Sequence, residues 1–155
     1  MVYGAAVGSV MTLRPAPGVP IEEQPEAVVL RMLLWGEARG EGPFGMLAVL
    51  WVVSNRAVKA DTTLKAQALK HRQFSCFNDD DPNRGKMLTA WRDDGSAWAA
   101  SDAVCTLYER SATKDPTGGA THYYVLGQVA PAWGRGNANW NEKGIIGHHV
   151  FGIAG

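Results

Sequence analysis

From residue 25 onward, apolar positions recur mostly at helical spacing. Leu30, Leu33, Leu34 and Glu37 stand at i, i+3, i+4 and i+7, so a helix over about 25–39 carries a carboxylate on its leucine face. Pro25 with Glu26 behind it suits the first turn. Residues 40–43, with two glycines and a proline, break the pattern. A second helix is predicted over 44–59. Its Met46-Leu47-Ala48-Val49-Leu50-Trp51-Val52-Val53 run is apolar on nearly all sides, the mark of a central buried helix. The β-branched residues leave a strand open there, but the length favours helix.

Residues 62–69 predict a short helix capped by Thr62 or Thr63. The weak alternation of Gln73-Phe74-Ser75-Cys76-Phe77 predicts a short strand or hairpin arm. An acidic turn follows at 78–83, then a third helix from residue 82 or 83 to about 92, and a turn at 93–95. A fourth helix over 96–111 is expected to turn Ala97, Ala100, Val104, Leu107 and Tyr108 inward. Residues 115–119 form a sharp loop, 121–126 a strand or short irregular segment, 127–144 a surface loop and 145–153 a closing strand. The sum is a mostly helical α+β domain, residues 25–155, with a small β element. Residues 1–24, broken by Pro15, Pro17, Gly18 and Pro20, read as an extended N-terminal arm.

Composition narrows the function. The 155 residues fit one domain, and 15 basic residues balance 15 acidic ones. A net charge of zero gives no electrostatic case for nucleic acid or an anionic membrane as partner. No apolar run is long enough to span a bilayer. Residues 1–11 are mildly apolar, but no Lys or Arg precedes the apolar part and Gly4 and Gly8 interrupt it, a poor signal peptide. Cys76 and Cys105 allow one disulfide or two thiols. Without CxxC or HxxxH spacing they predict no zinc site, and no cofactor is expected. Cys76 with His122, His148 or His149 as thiol and base lacks the local signatures of cysteine enzymes.

Glu37 is the strongest candidate for chemistry. Its place on a leucine face disfavours the charged carboxylate, and a protonated carboxyl near neutral pH is what a general acid needs. Flanking glycines remove side chains and would admit a bulky substrate. The competing reading is a helix-end Glu paired with Arg39 or a nearby amide.

Four blocks decide between these. Trp35-Gly36-Glu37-Ala38-Arg39-Gly40-Glu41-Gly42, followed by Gly45, Ala48-Val49 and Ser54-Asn55-Arg56, resembles the opening of the spore cortex-lytic cell-wall hydrolases of the SleB/CwlJ type. Gln73-Phe74-Ser75 resembles their second block, Asp115-Pro116-Thr117-Gly118-Gly119-Ala120-Thr121-His122-Tyr123-Tyr124 the third, and Ile146-Gly147-His148-His149-Val150-Phe151 the last. The resemblance covers about residues 25–152. It implies a lysozyme-like fold similar to that of soluble lytic transglycosylases, peptidoglycan glycan strands as substrate, and Glu37 as the catalytic acid. Without a signal or a wall-binding repeat, the chain resembles a phage endolysin, a monomer reaching the wall from the host cytoplasm through a holin.

The resemblance implies cleavage of the β-1,4 bond between N-acetylmuramic acid and N-acetylglucosamine. A muramidase needs a second carboxylate; a lytic transglycosylase needs only Glu37, which draws the muramic acid 6-hydroxyl onto C1. No second catalytic carboxylate stands out. Glu41 is nearest in sequence, either a partner to Glu37 or an exposed helix-end charge. Asp79, Asp80 and Asp81 read as a solvated turn and Asp115 as a turn former. Glu41, Phe74, Ser75, Thr121, Tyr123, Tyr124 and Trp133 are the expected substrate-binding residues. One tyrosine hydroxyl is expected to reach the acid or the sugar; the competing reading is that one of the two is simply core, since strand neighbours point to opposite faces. Trp140 competes with Trp133 for sugar stacking, while Trp35, Trp51, Trp91 and Trp98 fit helix packing. His148 and His149 read as structural. Two alternatives remain open: a zinc-dependent N-acetylmuramoyl-L-alanine amidase using histidines, and a non-catalytic glycan-binding module.

Overall fold

The structure is a computed structural model that describes residues 13–71 and 73–155. Residues 1–11, read as a poor signal peptide, and the first half of the predicted arm lie outside the described residues.

Helix α1, Glu26–Ala38, is the axis of the fold, with Val28 through Trp35 and Ala38 all buried. Helix α2, Gly42–Ala60, packs beside it and buries Met46, Ala48, Val49, Leu50, Val52 and Val53. It begins two residues earlier than the pattern predicts, because Pro43 sits in its first turn, where a missing N–H costs nothing. Helix α3, Leu64–Leu69, is capped by the Thr63 hydroxyl, which accepts from the Ala66 amide.

Two predicted elements change form. Residues 73–77 do not make a strand; Ser75–Phe77 is a 3-10 turn. The alternation is real, with Phe74 and Cys76 buried and Ser75 exposed. The chain curls because the Cys76 N–H turns to a side chain of α1 instead of a strand partner. The third helix splits into α4, Asn83–Lys86, and α5, Ala90–Asp93. Between them Met87 is drawn fully into the core and Thr89 leaves the helical ψ range, φ −120° and ψ 5°.

Helix α6, Gly95–Glu109, closes the helical layer against α1 and α2. Its buried stripe is Trp98, Ser101, Val104 and Cys105; Leu107, expected inside, is 50% exposed. Arg31 of α1, 2% exposed, locks the pair by reaching Asp102 at 2.6 Å and Glu109 at 2.8 Å. Residues 13–24 lie along this layer. Ile21 is buried in the 3-10 turn Ile21–Glu23, the Gln24 side chain bonds the Ala16 and Val19 backbone, and the Leu13 carbonyl accepts from Trp98 Nε1.

The β element is larger than predicted. Strands β1, His122–Val125, β2, Trp140–Ile146, and β3, His149–Ala154, form an antiparallel sheet in the order β1-β3-β2. The single closing strand is therefore a hairpin turning at Gly147 and His148, and the predicted surface loop stops at 139. Asn141, Glu142 and Lys143 hid β2, whose edge position exposes them to water. On the inner face, Tyr123 opposite Phe151 packs with Ala120 and Ile146 against Ala48 and Val52 of α2. On the outer face, Tyr124 meets Trp133 and Trp140.

Gly36 fixes the closest approach of these parts. A Cβ there would lie 2.6 Å from Cys76 Cβ and 2.8 Å from its sulfur, so α1 and the 75–77 turn touch only because Gly36 has no side chain. We expect Gly36→Ala to lose about 1–3 kcal/mol in urea unfolding. Gly40→Ala, which meets nothing within 4 Å, is the control that leaves stability near wild type.

Candidate active site

Glu37 leaves the last turn of α1 half-buried and is held at both oxygens. Oε1 accepts from the Cys76 N–H at 3.0 Å and from the Ser75 hydroxyl at 3.4 Å. Oε2 accepts from the Tyr123 hydroxyl at 3.2 Å. The carboxylate is thus not paired with Arg39, whose guanidinium lies over the Trp35 ring at 4.2 Å and donates to Asn83.

Each holder is placed by a separate feature. The 3-10 turn aims the Cys76 amide inward, made possible by Gly36. Tyr123 is set by strand alternation, its ring packed on His149 at 4.7 Å and Phe151 at 5.5 Å. Burial and the nearby Glu37 charge push its phenol well above the usual range, so it stays protonated. The loop entering β1 is fastened by Asp115, which accepts from the Thr117 amide and hydroxyl, the Gly119 amide and Asn55 Nδ2. Asn55 also donates to the Ala120 carbonyl and ties α2 to the same loop.

The expected residues separate into groups. Ser75 and Tyr123 touch Glu37, and Phe74 lies behind, its ring 6.5 Å from Tyr123. Thr121 is 6% exposed and hydrogen-bonds His122 Nδ1 at 2.9 Å. Tyr124 and Trp133 come together on the outer face of the sheet, away from Tyr123. Glu41 is taken up by the hairpin: Oε2 accepts from the His148 N–H at 2.9 Å and Oε1 lies 3.1 Å from His148 Nδ1. Burial opposes ionisation of Glu41, but these bonds prevail and hold its carboxyl below the usual range.

Two participants escaped sequence reasoning. The Cys76 amide has no side-chain signal. Arg56 belongs to a quoted block but carried no assigned role; its guanidinium donates to the Thr121 carbonyl and to Gln73 at 3.2 Å. His149, read as structural, is 6% exposed and packs on Tyr123, with Nδ1 unpartnered among the described residues. Gly36, read as an opening for substrate, instead admits Cys76.

Cys76 and Cys105 are both free and buried. Burial pushes the Cys105 thiol up to about 12 and raises Cys76 further, so neither serves as a thiolate near neutrality. Among the described residues no three His, Cys, Asp or Glu side chains cluster as a metal site requires, and no helix is long and apolar enough to cross a membrane.

Comparison with known proteins gives this arrangement a context. A family model described as cell wall hydrolase matches residues 40–152. The fold matches the catalytic domain of the germination-specific lytic transglycosylase SleB from Bacillus anthracis, with a TM-score of 0.59 and 20% identity over 88% of this chain and 98% of that one. It also matches the catalytic domain of the Bacillus cereus SleB protein, with a TM-score of 0.57 and 20% identity over 89% and 94% of the two chains. At that identity the likeness establishes the fold. No curated protein matches this chain.

Burial, reinforced by the Arg56 and Lys59 charges, pushes His122 down to about 4, and burial lowers His149 as well. Their folded values lie below the unfolded one, so the unfolded chain binds more protons as pH falls below 6.5. Stability should therefore drop between pH 6.5 and 4. In thermal melts across that window, His122→Gln should show the shallower decline.

Proposed function

This chain belongs to the cell wall hydrolase family, and we propose that it cuts the β-1,4 bond between N-acetylmuramic acid and N-acetylglucosamine of peptidoglycan, with Glu37 giving and retrieving the proton. The observation that carries this is the cradle around Glu37: one fixed amide donor, from Cys76, and two hydroxyls, from Ser75 and Tyr123. A hydroxyl can donate to a carboxylate and, after rotating, accept from a carboxylic acid. The cradle can therefore hold Glu37 in both states of a catalytic cycle.

Protonated Glu37 gives its proton to the leaving oxygen as the C1–O bond breaks, leaving oxocarbenium character on the muramic acid. Glu37, now a carboxylate, takes the proton of the muramic acid 6-hydroxyl while O6 bonds to C1. The product carries a 1,6-anhydro ring, Glu37 is protonated again, and no water is consumed.

Support for this outcome over hydrolysis comes from the other carboxylates. Glu41 is bonded to His148, Asp81 to the Asn83 amide, Asp94 to Trp35 Nε1 and Asp115 to its own loop. The lytic transglycosylase name of the Bacillus anthracis domain with this fold points the same way. In this reading Ser75, exposed at the rim, meets the sugar, while Phe74 and Thr121 act from behind by positioning Tyr123. Tyr124 and Trp133 form a separate aromatic flank for a longer strand.

Glu37→Gln should lose turnover of purified peptidoglycan by orders of magnitude with an unchanged circular dichroism spectrum; retained turnover would sink the assignment. Tyr123→Phe keeps the ring packing and loses one bond to the acid, so kcat should fall roughly tenfold or more with KM little changed. Mass spectrometry of released muropeptides should find anhydro-muramic ends. Reducing muramic ends would mean hydrolysis, and free stem peptides an amidase.

A further inference from the structure

A groove of about 350 Å³ opens next to the cradle, lined by Arg56, Lys59, Lys70, Gln73, Thr121 and His122 among others. Its charges are of one sign. No carboxylate lines it, and no ion pair forms to Arg56, Lys59 or Lys70 among the described residues. The Arg56 partners are the Thr121 carbonyl, the Gln73 side-chain oxygen and the face of Phe74, 5.2 Å from the guanidinium carbon. All three are neutral, so no counter-charge among them offsets the half-buried guanidinium. Lys59 and Lys70 extend exposed ammonium groups at the rim. Burial, and after it the Arg56 and Lys59 charges, push His122 down to about 4.

The groove is lined by chain neighbours of the residues that hold the acid. Gln73 lies two residues before Ser75, and Thr121 two residues before Tyr123. Phe74 lies near both, with Arg56 5.2 Å and the Tyr123 ring 6.5 Å from its ring centre. A strand seated with its scissile bond at Glu37 would bring whatever hangs from its muramic acid towards this groove. What hangs there is a short peptide bearing carboxylates, attached through the lactyl group. Three extended residues reach about 10 Å, enough to leave the sugar and enter a neighbouring groove.

We propose that this groove is a stem-peptide subsite, in which Arg56, Lys59 and Lys70 receive a carboxylate of the peptide carried by the strand being cut. The proposal rests on the glycan-cleaving reading. A guanidinium and two ammonium groups match a carboxylate in charge, and the guanidinium fork matches it in shape. The exposed lysines supply attraction that salt screens. The chain would then prefer strands that still carry their peptides over bare glycan.

The test uses glycan strands freed of anionic wall polymers, either with stems intact or stripped of them by an amidase. Binding is measured with the Glu37→Gln protein, so that cleavage does not intervene. Stem-bearing strands should bind more tightly than bare ones. Lys59→Glu with Lys70→Glu should reduce that preference about tenfold, and raised salt should erode it. The milder pair Lys59→Gln with Lys70→Gln gives a smaller loss in the same direction and guards against misfolding. Equal binding to both strands, or a preference untouched by either double variant, overturns the subsite. Failure of the otherwise unsubstituted protein to cut either strand overturns the glycan-cleaving reading instead.

Discussion

The site is organised by a carboxylate at the end of a buried helix meeting a backbone amide from a distant turn. Glu37 and Cys76 are 39 residues apart in sequence, yet the amide reaches the carboxylate at 3.0 Å. That contact requires the turn to lie flat on α1, and Gly36, one residue before the acid, makes room for it. A bond from a backbone N–H is directional and cannot rotate away, so it fixes one oxygen and leaves the second to Tyr123.

The remaining frame keeps the sheet where Tyr123 can reach. Asn55 and Asp115 fasten the entry to β1 onto α2. Glu41 fastens the β2–β3 hairpin from the other side through the His148 amide. Gly147, in the left-handed region at φ +56°, lies where any Cβ would strike the Glu41 carboxylate. The two acids of the Gly-Glu-Ala-Arg-Gly-Glu segment each accept from a backbone amide but differ in the rest: Glu37 adds two rotatable hydroxyls and Glu41 an imidazole. In the proposed function the first moves protons and the second holds the hairpin.

Polarity is also divided around the site. The acid is bonded to one of a set of packed aromatic rings, and a groove lined by three cationic side chains lies near the same segments. The Phe74 ring is common to both, near Arg56 at 5.2 Å and Tyr123 at 6.5 Å. A polymer with sugars and acidic peptides offers both kinds of surface, which is why the groove and the cradle are read as parts of one substrate path.

Much of this was legible in the chain itself. Helical periodicity located α1, α2 and α6 because long, strongly apolar helices carry their burial in their spacing. Period-two alternation separated Tyr123 from Tyr124, and four spaced blocks marked the family. Short elements were not legible. The 75–77 turn, the break at Met87 and the polar edge strand β2 each follow from contacts with residues far away in sequence, which local pattern cannot encode. The same limit applies to the site. Residue type pointed to Glu37, but its partners include a main-chain amide, which every residue except proline possesses, and only the folded chain decides which amide arrives.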